Sequence, residues 1–357
     1  MVSFLHTADL HLRKDRQERL EVVEHLVNVA KTNGSHILMC GDLFDGVSDA
    51  NALRASVRSI QERLSPQKIL LIPGNHDCDA YGDNMDYGEN IIILNRKPFS
   101  ELEFEGLRIV GVPFQHSTGL QNILDEGGFP PSDILLLHGT LFLKEYPRLH
   151  LEVSERKEEY FPIYAHEISS LRTRYLALGH IHSDFFSERI DGTLVCYPGS
   201  PLPVTISEIG RRSCARLSFE GGQITVERLY VDVLPYIDRL EFSLFIGKEL
   251  EGQAELRRLL KSRSNPQAKM VVELKGYIGL SEYDMNDIVQ GLLLEFSQEY
   301  AELHINNRTV SYKSLVEGNP LVREFVKRLE GSDEDAAVKQ KSLELALQVF
   351  DELLRRG

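Results

Sequence analysis

Apolar residues in this chain come in short runs, and the runs end alike. "VSFLHTADLH" (2–11), "SHILMCGDLFD" (35–45), "KILLIPGNHD" (68–77), "DILLLHGT" (133–140) and "RYLALGHIH" (174–182) each carry a mostly apolar stretch that breaks at once into Asp, Asn, His or Gly. Runs of this length, apolar on successive residues, read as strands covered on both faces. Between the first three the period changes. In 16–33, Leu20, Val23, Leu26, Val27 and Ala30 recur at helical spacing and Asn33-Gly34 supplies a stop; in 49–64, Leu53, Val57, Ile60 and Leu64 do the same before Pro66. Strand-helix alternation predicts a sheet with helices packed on its faces, and ligands of such sheets gather at the carboxyl ends of the strands.

From 184 to 232 the alternation is that of hairpins, with turns at Asp191-Gly192 and Gly221-Gly222. These read as the second half of a sandwich. After Pro235 the pattern predicts strand (238–245), helix (251–263), strand (269–276), helix (283–298) and strand (302–310), a compact α/β cap. Asn319-Pro320 opens a further helix and Gly331 closes it. A last helix carries Leu343, Ala346, Leu347 and Phe350 at helical spacing. The expected division is 1–232, 233–312 and 313–357.

At 357 residues, 42% hydrophobic and 26% charged, the composition is that of a soluble globular protein of two or three domains. No run is long enough to span a membrane, and the N-terminus shows no secretion signal. Cys40, Cys78, Cys196 and Cys214 lie far apart, which argues against a disulfide framework or a zinc knuckle and predicts a reduced, cytoplasmic protein. A formal net charge of −14 speaks against an overall basic nucleic-acid surface.

The chemistry gathers at the strand ends: Asp9 and His11; Asp42 and Asp45; Asn75, His76 and Asp77; His138; His180 and His182. A single histidine at a strand end is usually a hydrogen-bonded structural residue, but five such elements in order are not a chance pattern. Mixed Asp, Asn and His donors suit divalent ions such as manganese, with magnesium, iron or zinc as other occupants. Two ions about 3.5–4 Å apart would serve hydrolysis of a phosphoester. Such a pair needs a shared carboxylate, and Asp42, beside Gly41, is the natural bridge.

The five elements resemble those of the calcineurin-like metallophosphoesterases. More narrowly, "FLHTADLHL", "GDLFD", "GNHD", "HG", "GHIH" and "YPGSP" resemble the double-strand-break repair nucleases that include the SbcD-like and YhaO-like bacterial proteins. The motifs cover about 1–205 of the chain. The resemblance implies a metallophosphoesterase β-sandwich flanked by helices, with a smaller α/β cap domain and C-terminal helices. It also implies one metal on Asp9, His11, Asp42 and His182, and a second on Asp42, Asn75, His138 and His180. His76 is left to donate a proton to the departing oxygen, with Asp45 placed to orient it through a hydrogen bond. Asp77 reads equally as a partner behind the ligands or as a turn residue, and "YPGSP" as a phosphate-meeting loop or a plain turn.

The resemblance further implies a 3′-to-5′ exonuclease with some endonuclease activity, a homodimer, DNA as substrate and an SMC-like coiled-coil ATPase bound by the C-terminal helices. A small-molecule phosphodiesterase or phosphatase on the same scaffold is the enzymatic alternative. A regulatory subunit whose metals no longer catalyse is the non-enzymatic one. His6, His25, His36, His116, His150, His166 and His304 lack motif context and read as surface or packing residues. The basic groups Arg172/Arg174, Arg211/Arg212 and Arg257/Arg258/Lys261/Arg263 read as solvated faces unless they line the metals.

Overall fold

A computed structural model of the chain describes residues 1–82, 85–116, 118–143, 161–182 and 185–355. His150 lies outside them. The chain divides into two compact units, Met1–Tyr236 and Ile237–Gly357.

The first unit holds two six-stranded sheets. One is built on the parallel strands β1 (Val2–Thr7), β2 (His36–Cys40), β3 (Ile69–Ile72) and β4 (Ile91–Ile93). The other contains β5 (Ser100–Phe104), β6 (Leu107–Val112), β7 (Ser132–His138), β10 (Thr173–Gly179), β11 (Phe186–Ile190) and β12 (Thr193–Tyr197), in the order β11-β12-β10-β7-β6-β5. A two-stranded ribbon, β8 (Thr140–Phe142) and β9 (Pro162–Tyr164), stands apart. The hairpin β13 (Ser213–Glu220) and β14 (Gln223–Tyr230) does not join the second sheet, as its pattern suggested. It pairs antiparallel with β1 and completes the first. An alternating hairpin fits either sheet edge, and nothing local distinguishes them.

Alternate residues of each central strand enter different cores, which is why the runs are apolar throughout. Phe4, Leu38, Cys40 and Leu70 meet Ile109, Ile134, Leu136, Tyr175 and Ala177 between the sheets. On the outer face of the first sheet, Leu5, Ile37, Met39, Ile69 and Leu71 pack on Val22, Val23, Leu26 and Val27 of α1 (Arg19–Thr32) and Leu53 and Val57 of α2 (Val47–Glu62). On the outer face of the second, Leu135, Leu137, Leu176 and Leu178 pack on Leu120 and Ile123 of α3 (Leu120–Asp125) and Ile168 of α4 (Ala165–Ile168). The sheets are fixed from three sides, so the loops leaving β1, β2, β3, β7 and β10 are held in place.

The second unit has a four-stranded sheet of β15 (Tyr236–Phe245), β16 (Asn265–Ile278), β17 (Tyr300–Asn307) and β18 (Val310–Ser311). Helices α5 (Glu249–Ser262) and α6 (Glu282–Glu295) bury Leu256, Leu260, Met285, Val289 and Leu292. The pattern predicted these elements to within a few residues. It missed the short α7 (Tyr312–Gly318), and it anticipated α8 (Pro320–Glu330) and α9 (Ala336–Arg355). Asn319 caps α8 by accepting from the Leu321 and Val322 amides. Val322, Val326 and Leu347 form the small core of this helical segment. No helix among the described residues is long and apolar enough to cross a membrane.

Candidate metal centre

The loops after β1 and β2 run side by side, with Asp9 N donating to Gly41 O and His11 N to Asp42 O at 3.1 and 3.0 Å. Four residues here take left-handed backbone angles that side chains disfavour: Asp9 (φ 57), His11 (φ 43), Asp42 (φ 51) and His180 (φ 99). Strain of this kind persists where the surroundings over-determine it, and it collects at functional sites. Glycines make the close approach feasible. A Cβ on Gly41 would overlap the His138 ring and meet Gly74 Cα at 2.9 Å, and one on Gly179 would overlap Cys40 O and lie 2.9 Å from Ala8 Cβ.

These loops bring buried donors together. His11 Nε2 lies 3.2 Å from His182 Nε2 and 3.6 Å from Asp42 Oδ2. His138 Nε2 lies 3.3 Å from the same oxygen and 2.9 Å from Asn75 Oδ1. Asp9 Oδ1 is 3.8 Å from His182 Nε2, and the Asp9 carboxylate accepts from the His180 amide. The His180 ring stands edge-on to His138, centroids 5.1 Å apart. Asp9, His11, Asp42 and His138 are at most 2% exposed.

The far side of each imidazole decides what the near side can do. His138 Nδ1 is 2.8 Å from the Cys40 carbonyl, which only accepts, so Nδ1 carries the proton. His11 Nδ1 faces the Asp45 carboxylate and His182 Nδ1 the Glu208 carboxylate, each at 3.0 Å. Whenever one of these rings is neutral, its proton sits on Nδ1 and Nε2 faces inward as the ligating atom. Asp42 Oδ2, also inward, is buried without a hydrogen-bond partner. Acceptors facing acceptors repel, and a divalent cation resolves the conflict. The groupings Asp9–His11–His182, His11–Asp42–His76 and Asp9–Asp42–His138 each fit one ion. Protonation follows the same demand. Burial works against the His138 charge, yet Asp42 and Asp9 push its pKa up to about 9. Burial also opposes ionisation of Asp42, but His138, His11 and His76 outweigh it and hold this carboxyl well below the usual range.

Two expectations change. The Asp45 carboxylate was expected to orient His76; instead it hydrogen-bonds His11 and stays 4.0 Å from His76 Nδ1, whose nearer neighbour is the Asp45 carbonyl at 3.4 Å. Of the two readings of Asp77, a structural one fits. It is fully buried and accepts from Gly74 N, Phe44 N and Tyr81 Oη, stapling two loops, while burial and the Asp42 charge push its pKa up to about 6. His76 itself sits at the rim, 44% exposed in its side chain, its amide donating to Asp42 Oδ1 at 2.9 Å.

"YPGSP" is scaffold. Ser200 N donates to His182 O, and Tyr197 Oη donates to Gly139 O and accepts from Leu141 N. Arg212 is no solvated cation; it is buried and donates to His182 O and Ser200 O. Arg19 does the same for His11 O and Val204 O. Neither arginine, nor Glu208, carries a sequence signal, because each acts on backbone or on a residue remote in the chain. The cations of α5 and its end are matched by acids: Arg257 by Glu295, Arg258 by Glu255, Lys261 by Glu299 and Arg263 by Asp238. His6 is internal, bonded to Tyr175 Oη and Leu178 O.

A profile of the calcineurin-like phosphoesterases matches residues 2–199, more than half of the chain and every strand end just described. The chain belongs to the calcineurin-like phosphoesterases. It is similar to the DNA double-strand break repair protein Mre11 of Saccharolobus solfataricus, 29% identical over 56% of this chain and 55% of that one. The Mre11 protein of Methanopyrus kandleri is 24% identical over 64% of this chain and 56% of its own. The chain thus spans little more than half the length of the curated relatives it matches. Among solved structures, Vps29 of Chaetomium thermophilum aligns with 64% of this chain and 98% of its own at 13% identity and a TM-score of 0.32.

Proposed function

We propose that this phosphoesterase is a divalent-metal-dependent DNA nuclease, a 3′-to-5′ exonuclease with some endonuclease activity, acting in DNA end processing. The observation that carries the metal reading is the inward convergence of ligand-type atoms: Asp42 Oδ2, buried without a hydrogen-bond partner, and the Nε2 atoms of His11, His138 and His182. The DNA reading draws on the two Mre11 relatives.

In this reading Asp9, His11, Asp42 and His182 hold one ion, and Asp42, Asn75, His138 and His180 hold the other, with manganese the best-suited metal. When bound, such ions activate water and neutralise charge on the phosphoryl oxygens. The chain's own residues do the rest. Asp42 Oδ2 faces both clusters, 3.6 Å from His11 Nε2 and 3.3 Å from His138 Nε2, and Asp45 and Glu208 fix the faces that His11 and His182 present. His76, at the rim beside His11 with ring centroids 4.7 Å apart, can reach a substrate oxygen and give it a proton. The second unit contributes a cap that contacts DNA and a C-terminal helical segment that docks an SMC-like coiled-coil ATPase, and the chain pairs as a homodimer.

A small-molecule phosphodiester is the second reading, favoured by the net charge of −14 and the ion-paired cations of α5. Incubating the purified chain and manganese with end-labelled single- and double-stranded DNA and, separately, bis(p-nitrophenyl) phosphate separates the two. Shortened DNA supports the nuclease. Cleavage of the small ester with intact DNA supports the alternative.

A further inference from the structure

Behind the candidate ligands, charge is distributed unevenly. His138 is backed by a neutral carbonyl, Cys40 O. His11 and His182 are both backed by carboxylates, Asp45 and Glu208. Glu208 is 3% exposed and belongs to no recognised motif. Its Oε1 accepts from His182 Nδ1 and from Thr205 N and Oγ1; its Oε2 accepts from Val204 N at 2.8 Å and Ser200 Oγ at 3.4 Å, with Arg212 3.8 Å away. Among the described residues, these hydrogen bonds and the Arg212 ion pair all lie within the segment that carries or supports His182.

We propose that Glu208 is a positioning residue that makes the Asp9–His11–Asp42–His182 site the tighter of the two ion sites. This rests on the reading of His182 as a metal ligand. A carboxylate on Nδ1 fixes the tautomer, orients the ring and raises the basicity of Nε2, and loss of such a partner typically weakens metal affinity by about 10- to 100-fold. The carbonyl behind His138 orients its ring without adding charge, so His138 gains less than His182 does. Arg212, donating to His182 O, steadies the backbone of the same histidine.

The test is a manganese titration of the metal-free full chain, followed by calorimetry and by the electron paramagnetic resonance of free Mn2+. The wild type should take up two ions in two steps. Glu208→Ala should weaken the first step by about 10- to 100-fold and leave the second within a few-fold. Glu208→Gln, which keeps an acceptor for Nδ1–H but not the charge, should restore the orientation of the ring and recover only part of the loss. Thr205→Val removes a loop contact to Glu208 but not the histidine contact, and should bind as the wild type does. In 15N spectra of the metal-free chain, His182 should hold its proton on Nδ1 in the wild type and Glu208→Gln, and lose that preference in Glu208→Ala.

Unchanged first-step affinity in Glu208→Ala overturns the proposal, as does an equal loss in both steps. An equal loss in Thr205→Val also overturns it, because loop packing would then be the cause. A wild type that takes up no manganese removes the metal reading and this inference together. No DNA is used, so failure of the nuclease reading leaves the result standing.

Discussion

His11 and His182 come from loops 171 residues apart in the chain and face each other Nε2 to Nε2 at 3.2 Å. Each has a carboxylate at its other nitrogen, so two lone pairs point at one spot. Asp42 Oδ2 is buried beside them with no hydrogen-bond partner, so the folded chain gathers acceptors that a cation or added protons satisfy.

Manganese should therefore stabilise the fold. At a free concentration of about 100 times Kd, one ion bound only by the native state adds about 2.7 kcal/mol. Thermal unfolding with and without manganese checks this, and in Asp42→Asn most of the metal-dependent rise should vanish, since both clusters lose the shared carboxylate.

His76→Ser should separate binding from chemistry. If His76 is the proton donor, kcat falls by about 100- to 10,000-fold while manganese affinity changes little. A parallel loss of metal would instead make His76 a ligand, an arrangement its proximity to His11 and Asp42 allows.

Gly179→Ala should cost about 1–3 kcal/mol and impair metal uptake, because the new methyl overlaps Cys40 O behind His138. Gly34→Ala is the contrast. Its φ of 63 is left-handed but nothing lies within 4 Å, so it should cost about 1 kcal/mol with metal uptake intact. Denaturant titrations of the two variants give both numbers.

His6 should make stability depend on pH. It is buried as a neutral ring, and burial lowers its pKa from 6.5 to about 3. Above pH 6.5 neither folded nor unfolded His6 binds a proton; below it the unfolded chain does and the folded chain does not. Its contribution is therefore full above pH 6.5 and lost as pH falls towards 3, by up to about 1.4 kcal/mol per unit. Unfolding free energies from pH 7 to 4 should decline less steeply in His6→Gln.

The parts of this site that could be read from sequence were those forced by geometry. A strand buried on both faces accepts a polar side chain inside it only with buried partners, as His6 has, so ligand-type residues fall mostly at strand ends, and five of these ends pointed to the candidates Asp9, His11, Asp42, Asn75, His138, His180 and His182. What lies behind them was hidden. Glu208, Arg19 and Arg212 act through contacts to residues or carbonyls that only the fold brings near, and Asp45 turned to His11 because the β1 and β2 loops are locked together by backbone hydrogen bonds. The sheet joined by β13 was equally illegible, since its pairing with β1 spans most of the first unit.

The central claim is that these strand ends form a two-ion centre. Anomalous scattering from crystals of the full chain grown with manganese tests it directly. The account predicts two peaks, one among Asp9, His11, Asp42 and His182 and one among Asp42, Asn75, His138 and His180. No peak at this edge of the sandwich, or ions bound only elsewhere, would contradict it.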